Sequence, residues 1–218
     1  MTGKVLTYLA LGDSYTIGEG VAMEDNFPNQ TVSILNRTAV GVEKSLSAAA
    51  SPDSGYLKPL IIARTGWTTD ELDAAIDETG INETFDIVSL LIGVNNQYRG
   101  RSVNEYKVQF DHLLQRAIGF AADKTTHVFV LSIPDWGVTP FADGRDRQEI
   151  ATAIDGYNAA AAAICQQHHI VFIDITQSQR ADGIKAEYLV SDGLHPSRIE
   201  YAKWAAKLAD AISKAFHK

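Results

Sequence analysis

The stretch LALGDSYTIGEG, residues 9–20, starts as an apolar strand and turns polar and glycine-rich at Gly12-Asp13-Ser14. A buried strand that runs straight into an aspartate and a serine carries them at its carboxyl end, where open α/β sheets keep their ligand sites. Outward from it, VLTYLAL (5–11), DIVSLLIG (86–93), THVFVLSI (126–133) and IVFIDI (170–175) read as buried parallel strands. A fifth run, YLKPLIIA (56–63), is interrupted by Pro59, which suits a sheet edge.

Helical patterns separate these runs. Thr68-Thr69-Asp70-Glu71 and Ser102-Val103-Asn104-Glu105 both have the form of a capping box. Behind the second, Tyr106, Phe110, Leu113, Leu114, Ala117 and Ala121 recur at helical spacing and should face the sheet. An alanine-dominated helix is expected from about Gln148 to Gln167. The last helix is expected to start at Pro196 and to bury Ile199, Ala202, Ala206, Ala209, Ile212 and Phe216. Strands alternating with helices predict a three-layer α/β/α fold with a doubly wound, flavodoxin-like parallel sheet of about five strands. A single domain over residues 1–218 follows, with no repeat or linker to divide it. AVGVEKSLSAAASPDSGY (39–56) fits neither pattern and reads as a long loop or short helical insertion, a lid or surface decoration.

With 45% hydrophobic and 21% charged residues, the 218-residue chain has material for a full core. A formal charge of −8 with dispersed Lys and Arg argues against nucleic acid as a partner. The single cysteine, Cys165, excludes an intrachain disulfide and Cys-pair metal motifs, and its alanine-rich helix suits a packed thiol. No run approaches the ~18 apolar residues of a membrane span, and the run after Lys4 is too short for a signal sequence. A cytoplasmic protein without membrane insertion is expected, although a mature secreted chain given a new Met1 would read the same.

A serine after a strand usually caps a helix. In SDGLHPS (191–197), Asp192 and His195 lie three residues apart, close enough for a turn through Gly193 to bring the carboxylate to one imidazole nitrogen. Alone, that spacing reads as a closed turn. Ser14, Asp192 and His195 together supply a nucleophile, an orienting acid and a base, each at a predicted strand end. The G-x-S-x-G elbow of α/β-hydrolases is excluded, because Thr16 stands two residues after Ser14.

The chain resembles the SGNH (GDSL-type) hydrolase superfamily in four ordered blocks: GDSYTIGEG (12–20), ARTGWTTDEL (63–72), LLIGVNNQY (90–98) and SDGLHPS. The resemblance implies Ser14 as nucleophile, His195 as general base and acid, and Asp192 as the group that orients His195. It also implies an oxyanion hole made from the backbone N–H groups of Ser14 and Gly66 and the side-chain amide of Asn95. Asp13 is expected to hold the loop by accepting backbone N–H groups. Tyr15 stands where the family's name-giving motif has leucine, and Asn96 replaces the aspartate common after the block-three asparagine.

Trp67, Trp136 and Phe141 follow strand ends and could line the site. The adjacent His168 and His169 make a poor metal pair, and neither a metal nor a cofactor is expected. The expected substrate is a small-molecule ester with a small or medium acyl group, because the chain has few insertions with which to build a tunnel. Lysophospholipase or thioesterase action on longer chains is the alternative within the family. A different class, a flavodoxin-like phosphate- or nucleotide-binding module, would use the residue 12–20 loop. That loop lacks the third glycine of a dinucleotide fingerprint, and the reading leaves Asn95 and His195 without a role.

Overall fold

The computed structural model describes residues 5–46 and 55–216. In chain order its strands are β1 (Val5–Leu6), β2 (Tyr8–Asp13), β3 (Gly55–Tyr56), β4 (Leu60–Arg64), β5 (Ile87–Leu91), β6 (Val128–Leu131) and β7 (Val171–Ile173). The helices are α1 (Ser14–Ile17), α2 (Phe27–Leu46), α3 (Thr69–Thr79), α4 (Val94–Tyr98), α5 (Val103–Phe120), α6 (Arg147–Gln167), α7 (Thr176–Asp182) and α8 (Arg198–Phe216).

Five strands form one parallel sheet in the spatial order β4-β2-β5-β6-β7, flanked by helices. Numbered by their order along the chain, these strands run 2-1-3-4-5, the doubly wound flavodoxin-like order. The order reverses at β2, which has β4 on one side and β5 on the other. A crevice therefore opens beyond the carboxyl ends of these three strands. All of β2, β5 and β6 is buried, which explains their apolar runs, and the one hydroxyl inside β5, on Ser89, is hydrogen-bonded to the Tyr8 hydroxyl at 2.8 Å. The Pro59-interrupted run does supply an edge strand, β4.

The first apolar run splits in two. Thr7 donates its N–H to the Asp86 carboxylate (3.0 Å), and β1 leaves the main sheet to pair with β3. The segment 39–56 is helical through Leu46 and ends in β3, while residues 47–54 lie outside the described residues.

Thr68 and Glu71 form both halves of their capping box. Ser102 forms one half only: its Oγ accepts the Glu105 N–H at 3.1 Å, while the Glu105 carboxylate faces Arg101. All six residues predicted for the inner face of α5 and its end are buried. The last helix departs from its expected register. It begins at Arg198; Ala209 and Ile212 are buried as expected, but Ile199 is 44% exposed and Tyr201, Trp204, Ala205 and Leu208 supply the rest of the buried apolar face. Two apolar stripes compete on this helix, and the one carrying the tryptophan and tyrosine buries more area.

Candidate active site

Each of the three strands at the reversal delivers one polar element to the crevice. Strand β2 ends at Asp13 and leads into α1, so Ser14 occupies the first helical position and is 4% exposed. The bend is tight because Gly12 has no side chain: a Cβ there would lie 2.1 Å from Thr16 Oγ1 and 2.5 Å from the Leu91 carbonyl oxygen. Only glycine lets helix, strand and neighbouring strand approach so closely. Beyond β4, Gly66 turns the chain at φ +87°, a left-handed conformation that a side chain would strain. Beyond β5, Asn95 lies in α4.

Asp192 and His195 reach the same place from the loop before α8. Asp192 Oδ1 accepts the backbone N–H groups of Leu194 (2.8 Å) and His195 (2.9 Å), and Oδ2 lies 2.6 Å from His195 Nδ1. The other ring nitrogen, Nε2, lies 3.0 Å from Ser14 Oγ. Residues 181 apart in sequence are thus joined in one hydrogen-bonded line, carboxylate to imidazole to hydroxyl. Partial burial opposes the Asp192 charge. The bonds from His195 and the two N–H groups outweigh it and hold the carboxyl below its ordinary range. Tyr15 packs its ring against His195 with centroids 5.4 Å apart.

The turn that carries Gly66 is tied down at successive backbone groups. Arg99 donates to the Gly66 carbonyl (2.7 Å) and to Glu71 (3.1 Å), and Asn95 Nδ2 donates to the Trp67 carbonyl (2.9 Å). The amide of Asn95 has a second hydrogen, and the residue lines the cavity with Ser14, Gly66 and His195. Asn96 is fully buried. Its oxygen accepts the Thr69 N–H (3.1 Å) and its amide donates to Thr69 Oγ1 (2.7 Å), so the departure from aspartate is absorbed by a complete polar network.

Of the three aromatic residues expected to line the site, Trp136 and Phe141 do, and Trp67 does not. Trp67 is half-buried because its side chain packs against the hydrophobic core, and it contributes only its carbonyl to the Asn95 bond. Sequence reasoning missed Tyr98 and Leu194, which also line the cavity. His168 Nε2 is hydrogen-bonded to Asp111 Oδ1 at 2.7 Å. Among the described residues, no group of three or more His, Cys, Asp or Glu side chains is placed to hold a metal ion. Among them, too, no helix is long and apolar enough to cross a membrane.

Asp13 caps α1 by accepting the Tyr15 N–H at 3.0 Å, as expected, but it is fully buried and its Oδ2 has no hydrogen-bond partner. Burial pushes its pKa up to about 7. A carboxyl whose pKa rises on folding stabilises the fold at low pH and loses that contribution as pH climbs to the folded value. Asp13→Asn keeps the cap and never ionises. Its stability relative to wild type is expected to rise from about pH 4, the ordinary carboxyl range, and to level off above pH 7. Thermal melts at pH 5 and pH 8 check this, with a gain of about 3 °C or more expected at pH 8 beyond any difference at pH 5.

A model of the GDSL-like lipase/acylhydrolase family matches residues 10–203, most of the chain. The chain belongs to this family. The match runs from β2 to α8 and so includes every element that contributes to the crevice. Solved structures agree in fold. A variant of an acetyl xylan esterase from Geobacillus stearothermophilus superposes with a TM-score of 0.68 at 17% identity, covering 96% of this chain and 95% of that one. A psychrotrophic esterase from Pseudoalteromonas sp. gives 0.64 at 15% identity, covering 97% and 99%. A lipase/acylhydrolase from Enterococcus faecalis gives 0.65 at 18% identity, covering 96% of each chain. No curated protein sequence matches the chain. Within the GDSL-like family the four ordered motifs read from the sequence therefore fall on one crevice of this fold.

Proposed function

We propose that the protein is a serine esterase that hydrolyses carboxylic esters with small or medium acyl groups. The observation that carries this reading is the line from Asp192 through His195 to Ser14, with bonds of 2.6 and 3.0 Å. Ser14 Oγ attacks the ester carbonyl while His195 Nε2 takes its proton. The carbonyl oxygen becomes an oxyanion, which the N–H groups of Ser14 and Gly66 and the free hydrogen of the Asn95 amide stabilise. His195 then returns the proton to the leaving alcohol, giving an acyl-enzyme on Ser14. Water, deprotonated by His195, releases the acid by the same path reversed. Asp192 holds the ring so that Nε2 faces Ser14, and it stabilises the imidazolium.

The size of the cavity, about 170 Å³, supports the preference for short acyl groups. The same crevice does not suit a phosphate, since among the described residues it is lined mainly by apolar side chains and carries no Lys or Arg. The test needs no guess at the natural substrate. A fluorophosphonate is expected to label one peptide, the one containing Ser14, and His195→Ala is expected to lose that label. Mass spectrometry of the digest reads both. Labelling elsewhere, or none in folded protein, would remove the reading.

A further inference from the structure

The cavity at Ser14 has a larger neighbour. A second cavity, of about 580 Å³, has only Tyr98 and Trp136 in common with the first among the described residues. Two side chains that border both spaces form the boundary between them. Trp136 is 3% exposed and Tyr98 45% exposed, so one is the buried base of that boundary and the other its outer part.

The boundary is braced. Trp136 Nε1 donates to Gln97 Oε1 at 2.8 Å, and its ring meets Tyr98 edge-on with centroids 5.4 Å apart. The Arg145 guanidinium lies 5.0 Å from the Tyr98 ring centre and 5.2 Å from that of Trp136, and it donates to the Tyr98 hydroxyl at 3.1 Å. The turn carrying Trp136 is fixed as well. The buried Asp135 accepts the Gly137 N–H (2.9 Å) with one oxygen and Arg180 Nε (2.8 Å) with the other. A ring held from its nitrogen, its face and its backbone does not swing aside for a longer substrate.

The direction of proton transfer says which part of the substrate meets this boundary. His195 must reach the leaving oxygen, so the alcohol lies towards His195 and Leu194. The acyl chain then points the opposite way, along α4, where Val94, Asn95 and Tyr98 line the cavity. Behind the boundary, Val103, Ile150 and Ala153 give the second cavity apolar surface for an alkyl chain, while the charged Arg101, Arg145, Asp146 and Glu149 also line it.

We propose that Tyr98 and Trp136 are the wall that limits acyl length in this protein, and that the cavity behind them is the space a longer chain fills once the wall is opened. The proposal rests on the esterase reading above. It makes the limit on acyl length a consequence of two side chains rather than of the fold.

The test compares kcat/KM for p-nitrophenyl acetate and p-nitrophenyl octanoate in wild type, Tyr98→Ala, Trp136→Ala and Arg145→Ala. Wild type is expected to prefer acetate. The octanoate-to-acetate ratio is expected to rise at least about 10-fold in Tyr98→Ala and further in Trp136→Ala, since a single methylene of fit is worth that much in an apolar pocket. Arg145→Ala, which only loosens the brace, is expected to raise the ratio about threefold. Should Trp136→Ala not fold, the partly exposed Tyr98→Ala decides. A ratio within about twofold of wild type in the folded variants, or a wild type that already favours octanoate, overturns the wall. Fluorophosphonate labelling of every sample separates the two readings. Labelled Ser14 with an unmoved ratio defeats the wall alone, and an unlabelled wild type defeats the esterase reading beneath it.

Discussion

Ser14→Ala, His195→Ala and the double variant are expected to fall to one shared residual rate, about 10⁵ to 10⁶-fold below wild-type turnover on an acetyl ester. Groups that act as a unit lose their effect together, because a serine without its base is an ordinary alcohol and a base without its serine has nothing to deprotonate. The 3.0 Å contact between His195 Nε2 and Ser14 Oγ makes these two such a unit. Both side chains are buried, so bulk water does not readily replace His195 as the proton acceptor. The residual rate would belong to the oxyanion donors and to simple binding. Steady-state kinetics on the three variants, with circular dichroism to confirm folding, reads the result. If the double variant falls by the product of the single losses, the two residues act independently and the proposed mechanism fails.

The parallel sheet was legible because strands buried on both faces must be almost wholly apolar, and the runs around Leu11, Leu90 and Val130 are. The spatial order was not written in any one run. It emerges when β4 and β5 take opposite sides of β2, and that choice makes Ser14, Gly66 and Asn95 neighbours. The motif residues were visible because their chemistry is unusual at strand ends. Tyr98 was not, because its place in the cavity depends on α4 meeting the segment around Trp136, some 40 residues further along. Trp67 misled for the complementary reason: adjacency to Gly66 in sequence does not set the direction of its ring. Helix α8 shows the limit of a pattern that counts apolar positions without weighing them. Ile199 and its alanines keep helical spacing as well as Tyr201, Trp204 and Leu208 do, and only the larger stripe is buried in full.

Asp192→Asn is expected to reduce turnover about 10³ to 10⁴-fold while leaving the fold and the binding of substrate nearly unchanged. The substitution is nearly isosteric. An asparagine oxygen can still accept the N–H groups of Leu194 and His195, so the loop keeps its two backbone anchors. What changes is the group facing His195 Nδ1. The carboxylate oxygen now 2.6 Å from that nitrogen accepts its proton, which leaves the lone pair on Nε2, facing Ser14. An amide N–H in the same place donates, so Nδ1 becomes the acceptor and the proton moves to Nε2. The ring then offers Ser14 a donor where catalysis needs an acceptor, and the hydroxyl cannot be deprotonated. Because Asp192 is held below its ordinary carboxyl range, it stays a carboxylate, and so an acceptor facing His195 Nδ1, well into mild acid. Loss confined to kcat, with KM and melting temperature close to wild type, would identify the tautomer as the cause. A variant that loses stability and activity together would show that Asp192 serves mainly to close its loop.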